Sequence, residues 1–174
     1  MAELKRYALW LLPDQVATDS FASLIDDLCN RYKGPRFAPH VTLLGRVTGT
    51  EKDLVKTTER LAQQLRVLTL RPQEIAREAY YFRCFYVKLE QSVDLAQAHK
   101  YAADAFGTDF VSDYLPQLSL IYGHLPRKEK DELRSEIGQR IPPDFVADRL
   151  QLVHVTVSVA DWHVVTTCAL QYGT

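Results

Sequence analysis

Two short segments of the chain repeat one another, and this repeat constrains the fold more than any other feature. Residues 37–44 read FAPHVTLL and residues 114–121 read YLPQLSLI, so each copy runs aromatic, small or apolar, Pro, polar, apolar, hydroxyl, Leu, aliphatic. Because successive side chains of an extended strand point to opposite faces, His40 and Thr42 share one face of the first copy. The same alternation applies to the second copy.

The second copy presents Gln117 and Ser119 where the first presents His40 and Thr42. Two such strands facing each other would line a cleft with an imidazole, an amide and two hydroxyls. The remaining alternate positions are aliphatic and are expected in a core: Val41, Leu43, Leu118 and Leu120.

The spacing of the repeat extends beyond the two motifs. His40 and Gln117 are 77 residues apart, and so are Tyr7 and Cys84, which lie in two strand-like segments. Hydrophobic periodicity, capping residues and Gly/Pro breaks predict the order strand, helix, motif strand, helix in each half. In the first half these elements are expected at 6–12, from Thr18–Ser20, at 37–45 and from Thr48–Glu51. In the second half they are expected at 80–89, from Ser92, at 117–123 and from Pro126, with two tail strands at 149–159 and 163–171.

The predicted fold class is therefore α+β, with two pseudo-symmetric lobes around a central cleft. Each lobe is expected to be an antiparallel sheet with outer helices, and residues 1–174 are expected to form a single bilobal domain.

Composition restricts the partners. Of the 174 residues, 47% are apolar and 25% charged, which is typical of a packed globular fold, and the net charge is −1, which does not favour long nucleic acid. Three cysteines without CxxC spacing indicate reduced thiols. No segment reads as a secretory signal or as a membrane span. We expect a cytoplasmic monomer that binds a small molecule and no membrane.

Histidine beside a hydroxyl on a cleft-facing strand suits phosphate-ester chemistry. An imidazole can give or take a proton near neutral pH, and a Thr or Ser hydroxyl can hydrogen-bond a phosphate oxygen. No HxxxH or Cys/His cluster and no glycine-rich phosphate loop occurs. We therefore expect no metal and no cofactor.

The segments PHVTLLG and PQLSLIYG resemble the paired HxTx/HxSx motifs of the 2H phosphoesterase superfamily, most closely its cyclic phosphodiesterase branch. The resemblance covers nearly the whole chain. It implies hydrolysis of 2′,3′-cyclic nucleotides or of ADP-ribose 1″,2″-cyclic phosphate, with two histidines in acid–base roles and hydroxyls holding the phosphate. Carried over by motif, the catalytic site comprises His40, Thr42, Gln117 and Ser119. Tyr122 would contact substrate or, alternatively, fill the core at the strand end.

Gln117 departs from the pattern, which has a second histidine at this position. Glutamine forms hydrogen bonds but transfers no proton at neutral pH. Three explanations remain: a deliberate substitution of a catalytic histidine, a natural ligand-binding relative, or proton transfer by another group. We favour the first and expect impaired metal-independent hydrolysis. The alternatives are a catalytically silent module that binds nucleotides or RNA ends, and a purely structural interaction domain.

Other histidines compete for the role of the missing imidazole. His154 begins a second literal HxTx and could supply that imidazole if its strand face looks into the cleft, but a surface or supporting role is favoured. His99 is expected to be exposed on an Ala-rich helix, His124 to lie in an exposed turn, and His163 to be structural. The neighbouring Trp162 offers a ring on which a base could stack.

The aromatic segment Tyr80–Tyr86 allows two interpretations. It could stack a base and bind phosphate through Arg83, or it could be a central strand with aromatic packing on both faces. We favour the strand.

Overall fold

The computed structural model describes residues 5–109 and 113–173, and within them the chain forms eight β-strands and four α-helices. The strands are β1 (Arg6–Pro13), β2 (Val41–Val47), β3 (Leu68–Leu70), β4 (Pro72–Arg77), β5 (Phe85–Leu89), β6 (Gln117–Ile121), β7 (Phe145–Val155) and β8 (His163–Ala169). The helices are α1 (Gln15–Tyr32), α2 (Glu51–Gln64), α3 (Val93–Phe106) and α4 (Arg127–Ile137).

All strands pair antiparallel in the order β3-β7-β1-β2-β6-β5-β4, and β8 pairs with β7. Strands β3 and β4 lie at opposite ends of this order, yet only Arg71 separates them in the chain. Since two residues of chain reach at most about 7 Å, the sheet must curl until its two ends meet. The Arg71 guanidinium lies 3.2 Å from Glu90, which follows β5, and 3.3 Å from Asp144, which precedes β7. It therefore contacts residues near both ends of the strand order.

The predicted two-lobed α+β fold is confirmed, with one refinement in how the lobes join. Strands β2 and β6 pair at Val41 and Leu118, which are themselves 77 residues apart, so the pseudo-two-fold axis passes through this pair. Outward from it, β1 corresponds to β5 and β7 to β4. The two lobes are thus halves of one continuous sheet, and the first lobe takes its outer strand from the C-terminal tail.

The helices begin mostly at the caps that the sequence offers. Ser92 caps α3 as predicted, accepting from the Leu95 amide at 3.1 Å. Thr50 caps α2 within the predicted segment Thr48–Glu51. One start differs from the prediction: α1 begins after Asp14, whose carboxylate accepts from the Ala17 amide at 2.9 Å. The hydroxyl of Thr18 instead bonds the Pro13 carbonyl at 2.9 Å. No helix in the described residues is long and apolar enough to cross a membrane.

The two faces of the sheet have different roles. The helices cover one face, and the large core lies between them and the sheet. It includes the four aliphatic motif residues assigned to it from the sequence: Val41, Leu43, Leu118 and Leu120. The opposite face carries a small apolar cluster of Ala8, Trp10, Leu12 and Val153 and lines the cleft.

Side chains take over hydrogen bonding where the β2–β6 ladder stops. The Tyr114 hydroxyl donates to the Thr42 carbonyl at 2.6 Å, and Nδ1 of His99 bonds the Leu43 carbonyl at 2.8 Å. The His99 and Tyr114 rings stack with centroids 4.2 Å apart. His99 was expected to be exposed, but it is 3% exposed, because α3 packs this face against β2. These two bonds extend the connection between the lobes beyond the Val41–Leu118 pair. We call this junction of β2 with the second lobe the seam.

Replacing Tyr114 with Phe removes one seam hydrogen bond and leaves the Thr42 carbonyl without this donor. We expect the free energy of unfolding to fall by about 0.5–1.5 kcal/mol. Urea denaturation measures the change, with Tyr101→Phe on α3, a site 45% exposed, as the matched control. Equal stability of the two variants would show that the bond does not hold the seam.

Candidate active site

A cavity of about 970 Å³ opens on the cleft face of the sheet. The sequence predicts five site residues, and all of them line it: His40, Thr42, Gln117, Ser119 and Tyr122. The Val41–Leu118 pair explains this, because it sets the two motif strands side by side with matching faces turned to the same side. The catalytic roles of these residues stay a prediction.

His40 is the most constrained of the five. It is 5% exposed, and its ring stacks on Trp10 with centroids 3.6 Å apart and planes 11° apart. Nδ1 lies 2.7 Å from the Ala38 carbonyl, which can only accept, so Nδ1 carries the proton. Nε2 of the neutral ring therefore presents its lone pair, and it lies 3.5 Å from the Tyr122 hydroxyl.

Burial lowers the pKa of His40 to about 4, although the bond to Ala38 opposes that shift. The charged imidazolium loses hydration in the stacked, enclosed position, and one hydrogen bond replaces little of it. At neutral pH the ring is uncharged. It can accept a proton from a neighbouring group but has none of its own to donate at Nε2.

Tyr122 lies next to His40, and Ser119 lines the same cavity with its hydroxyl donating to the Phe82 carbonyl at 3.4 Å. Burial raises the pKa of the Tyr122 phenol, while a hydrogen bond with Ser119 lowers it, so the phenol keeps its proton at neutral pH. The Tyr122 ring packs against Phe37 with centroids 4.0 Å apart. Both interpretations of Tyr122 thus describe part of its position: the ring is in the packed layer, and the hydroxyl faces the cavity.

Thr42 and Gln117 stand on either side of the seam. Thr42 is exposed, so its hydroxyl is accessible from the cleft. Gln117 is half-buried at the start of β6, and its side chain makes no hydrogen bond within residues 5–109 and 113–173. An amide and a hydroxyl are therefore available to a ligand that binds in the cavity.

Aromatic rings form the wall of the cavity beside His40. Trp162 lies 5.6 Å from Trp10 and 6.0 Å from Phe82 between ring centroids, with the Phe82 ring tilted by 22° from it. The indole of Trp162 donates to the Thr156 carbonyl at 2.8 Å, which holds the ring at the cavity edge. The ring that the sequence offered for stacking thus lines the cavity.

The preferred interpretation of the segment Tyr80–Tyr86 as strand was wrong for its first part. Tyr81–Arg83 form a short 3₁₀ turn before β5, closed by the Arg83 amide bonding the Tyr80 carbonyl at 3.0 Å. A 3₁₀ turn does not alternate sides as a strand does, and it turns Tyr80, Phe82 and Arg83 toward the cavity.

With this geometry established, the comparisons with known proteins identify the family. The model of the family described as "Cyclic phosphodiesterase-like protein" matches residues 6–170. The chain belongs to this family. A cyclic phosphodiesterase of Arabidopsis thaliana is 29% identical over 132 residues, which cover 75% of this chain and 73% of the relative. The chain is thus a phosphodiesterase of the 2H phosphoesterase superfamily, as its two motifs predict.

Solved structures support the fold of this cyclic phosphodiesterase-like protein. Escherichia coli LigT in its apo form aligns with a TM-score of 0.61 at 16% identity, covering 97% of this chain and 99% of LigT. LigT complexed with 3′-AMP gives 0.60 at 14% identity over the same shares. The protein TT0787 of Thermus thermophilus gives 0.59 at 17% identity, covering 97% and 100%. At 14–17% sequence identity, these similarities are evidence for a shared fold alone.

His154 does not line the cavity, so the fold does not bring its imidazole to the site of His40 and Gln117. Its ring lies 5.3 Å from Tyr7 and 4.7 Å from His163, on the side of β7 away from the cleft. Val153 and Val155 take the cleft side instead and pack with Trp10. His124 and His163 are both exposed and lie outside the cavity, and the first directly follows the bend at Gly123.

The cavity also contains charged groups that sequence reasoning missed. Arg46, Asp109 and Asp113 line the cavity. Arg83, which the sequence analysis had already named as a possible phosphate ligand, lines it as well. The Arg46 signal in the sequence is only the Gly-Arg pair that follows the first motif. Among the described residues, no group of three or more His, Cys, Asp or Glu side chains is arranged to hold a metal ion.

The depressed pKa of His40 makes stability depend on pH. His40 binds a proton near pH 6.5 in the unfolded chain but only near pH 4 in the folded chain. Folding stability is therefore at its full value above pH 6.5 and decreases as the pH falls toward 4, because protons then favour the unfolded chain. Between pH 7.5 and 4 we expect the unfolding free energy to drop by about 3 kcal/mol more in the wild type than in His40→Gln. Urea denaturation at both pH values tests this, with His124→Gln as the control outside the core. An equal pH dependence in His40→Gln would contradict it.

Proposed function

We propose that the chain hydrolyses a small cyclic phosphodiester of a nucleotide to a phosphomonoester without a metal ion. The substrate class is a 2′,3′-cyclic nucleotide or ADP-ribose 1″,2″-cyclic phosphate. The observation that carries the proposal is the neutral His40 with an accepting Nε2, in one aromatic-walled cavity with the hydroxyl-bearing residues Thr42 and Ser119. Crystal structures of LigT with phosphate and with 3′-AMP support a ligand of this size.

His40 is suited to the role of general base. Its Nε2 would take a proton from a water molecule as the water oxygen attacks phosphorus. Thr42 and Ser119 would donate hydrogen bonds to the two non-bridging oxygens and so stabilise the charge that develops there. The bond from phosphorus to one ring oxygen then breaks, and the departing alkoxide needs a proton.

Gln117 occupies the position from which that proton would come. Its amide can hydrogen-bond the departing oxygen or the phosphate, but it cannot protonate an alkoxide at neutral pH. The proton must then come from solvent, and the missing acid lowers the rate by about 10²–10⁴-fold. We therefore propose a slow enzyme that binds nucleotides, including those at RNA ends, better than it hydrolyses them.

Substitution of Gln117 by His supplies an imidazole on the opposite strand from His40. We expect kcat for 2′,3′-cyclic AMP to rise by about 10²–10⁴-fold, since one acid–base group contributes that factor. The pH profile should change as well. In the wild type kcat/KM rises through a pKa near 4 and then stays level, whereas in Gln117→His it becomes bell-shaped.

The product is quantified by chromatography, and Gln63→His on the exposed side of α2 serves as the matched control. Equal rates for the wild type and Gln117→His would mean that another group transfers the proton. If neither hydrolyses 2′,3′-cyclic AMP or ADP-ribose 1″,2″-cyclic phosphate while 3′-AMP still binds, the silent binding module is the better description.

Substitution of Trp162 tests whether the site recognises a base on the substrate. Base–aromatic stacking contributes about 1–3 kcal/mol, so Trp162→Leu should raise KM for 2′,3′-cyclic AMP by roughly 5- to 150-fold. KM for glycerol 1,2-cyclic phosphate, which has no base, should change much less. Tyr172→Leu, at a site 77% exposed, is the control. A similar change in KM for both substrates would point to a structural role of the indole.

A further inference from the structure

Arg46 lies on β2, four residues beyond Thr42, and lines the same cavity. Tyr7 pairs with Val47 and Leu9 with Leu44, so Gly45 and Arg46 together face the single residue between Tyr7 and Leu9. This is a β-bulge, and bulges beside active sites redirect a side chain. Here the redirected residue is an arginine that lines the catalytic cavity.

The backbone of Arg46 adopts the left-handed region, with φ 57°. Residues other than glycine rarely adopt this backbone conformation, because their Cβ atom crowds the following carbonyl oxygen. The position 77 residues later is Gly123, with φ 147°, so the second lobe has the residue type that such a backbone favours. The first lobe instead holds a guanidinium at the matching place.

The charge of Arg46 is available to a ligand. Within the described residues Arg46 makes no ion pair and no hydrogen bond, and its side chain is exposed. Arg83, the other arginine that lines the cavity, differs: it lies 3.3 Å from Glu78 and stands over the Tyr80 ring at 5.3 Å. A ligand anion can therefore bind Arg46 without breaking an existing pair.

The distance along β2 indicates which anion this is. Four residues of extended strand span at most about 13 Å, and the bulge shortens that. A phosphate held by Thr42 and a second anion at Arg46 would thus be separated by about the length of a nucleoside. The carboxylates of Asp109 and Asp113 line the cavity too and would repel such an anion, so binding there depends on the guanidinium.

We propose that Arg46 binds a second phosphate of the substrate, remote from the cyclic phosphate. The chain then prefers a nucleoside cyclic phosphate that carries a further phosphate or diphosphate over one that does not. This specificity rests on the proposed function, since it assigns the far end of the same ligand.

The test compares adenosine 2′,3′-cyclic phosphate with the same compound bearing a 5′-phosphate. In the wild type, KM should be about tenfold lower for the 5′-phosphorylated compound, the factor expected for a hydrogen bond between charged groups. In Arg46→Gln this ratio should fall close to one, and Arg46→Lys should retain part of it. Asp113→Asn should increase the ratio. Arg60→Gln, an exposed arginine on α2, is the control that keeps it.

Calorimetry with 3′-AMP and adenosine 3′,5′-bisphosphate gives a readout independent of turnover. Equal affinity of the wild type for both ligands would overturn the role of Arg46 while leaving the proposed function intact. Failure to bind either ligand would instead remove the proposed function. Arg46→Gly, which suits the left-handed backbone, covers the case in which Arg46→Gln is unstable. An unchanged ratio in both variants would overturn the proposal.

Discussion

The pairing of Val41 with Leu118 is the contact on which the site depends. It is the backbone pair that joins the two halves of the sheet, and it lies on their pseudo-two-fold axis. Both side chains point into the core, so the flanking residues of each strand face the cleft together. A shift of one residue in this register would turn His40 into the core and an aliphatic side chain into the cleft. Tyr114 and His99 secure the seam where the ladder ends.

Burial then determines what the site can do. Stacking on Trp10 and the bond to Ala38 keep the His40 ring neutral, in one tautomer, with Nε2 toward the cavity. The pseudo-symmetric partner position holds Gln117, which has no proton to give. The repeat is therefore symmetric in backbone but not in side-chain chemistry. One lobe presents an imidazole and an arginine, and the other presents an amide and a glycine at the matching places.

Local patterns predicted whatever depends on alternation and spacing. The lobes, the helices that begin near Ser92 and Pro126, and the core aliphatics of both motifs follow from period-two and helical patterns. The errors arose where the backbone departs from a regular element. Residues 81–83 form a 3₁₀ turn where a strand was expected, and β2 bulges at Arg46, so strand alternation does not hold at either place. The burial of His99 and the orientation of His154 depend on which face of their helix or strand packs against a distant element. No local sequence pattern contains that information.

The amino-acid order alone was sufficient to predict the two-lobed α+β plan, the family and the five candidate site residues. A 77-residue repeat of strand and helix patterns admits few ways to bury its apolar positions, and within each motif the polar residues are two positions apart on one strand face. The charge state of His40, the aromatic wall around Trp162 and the presence of Arg46 in the cavity required the folded molecule. These features arise from desolvation and from contacts between residues far apart in the chain, so they exist only once the sheet has curled and its halves have joined.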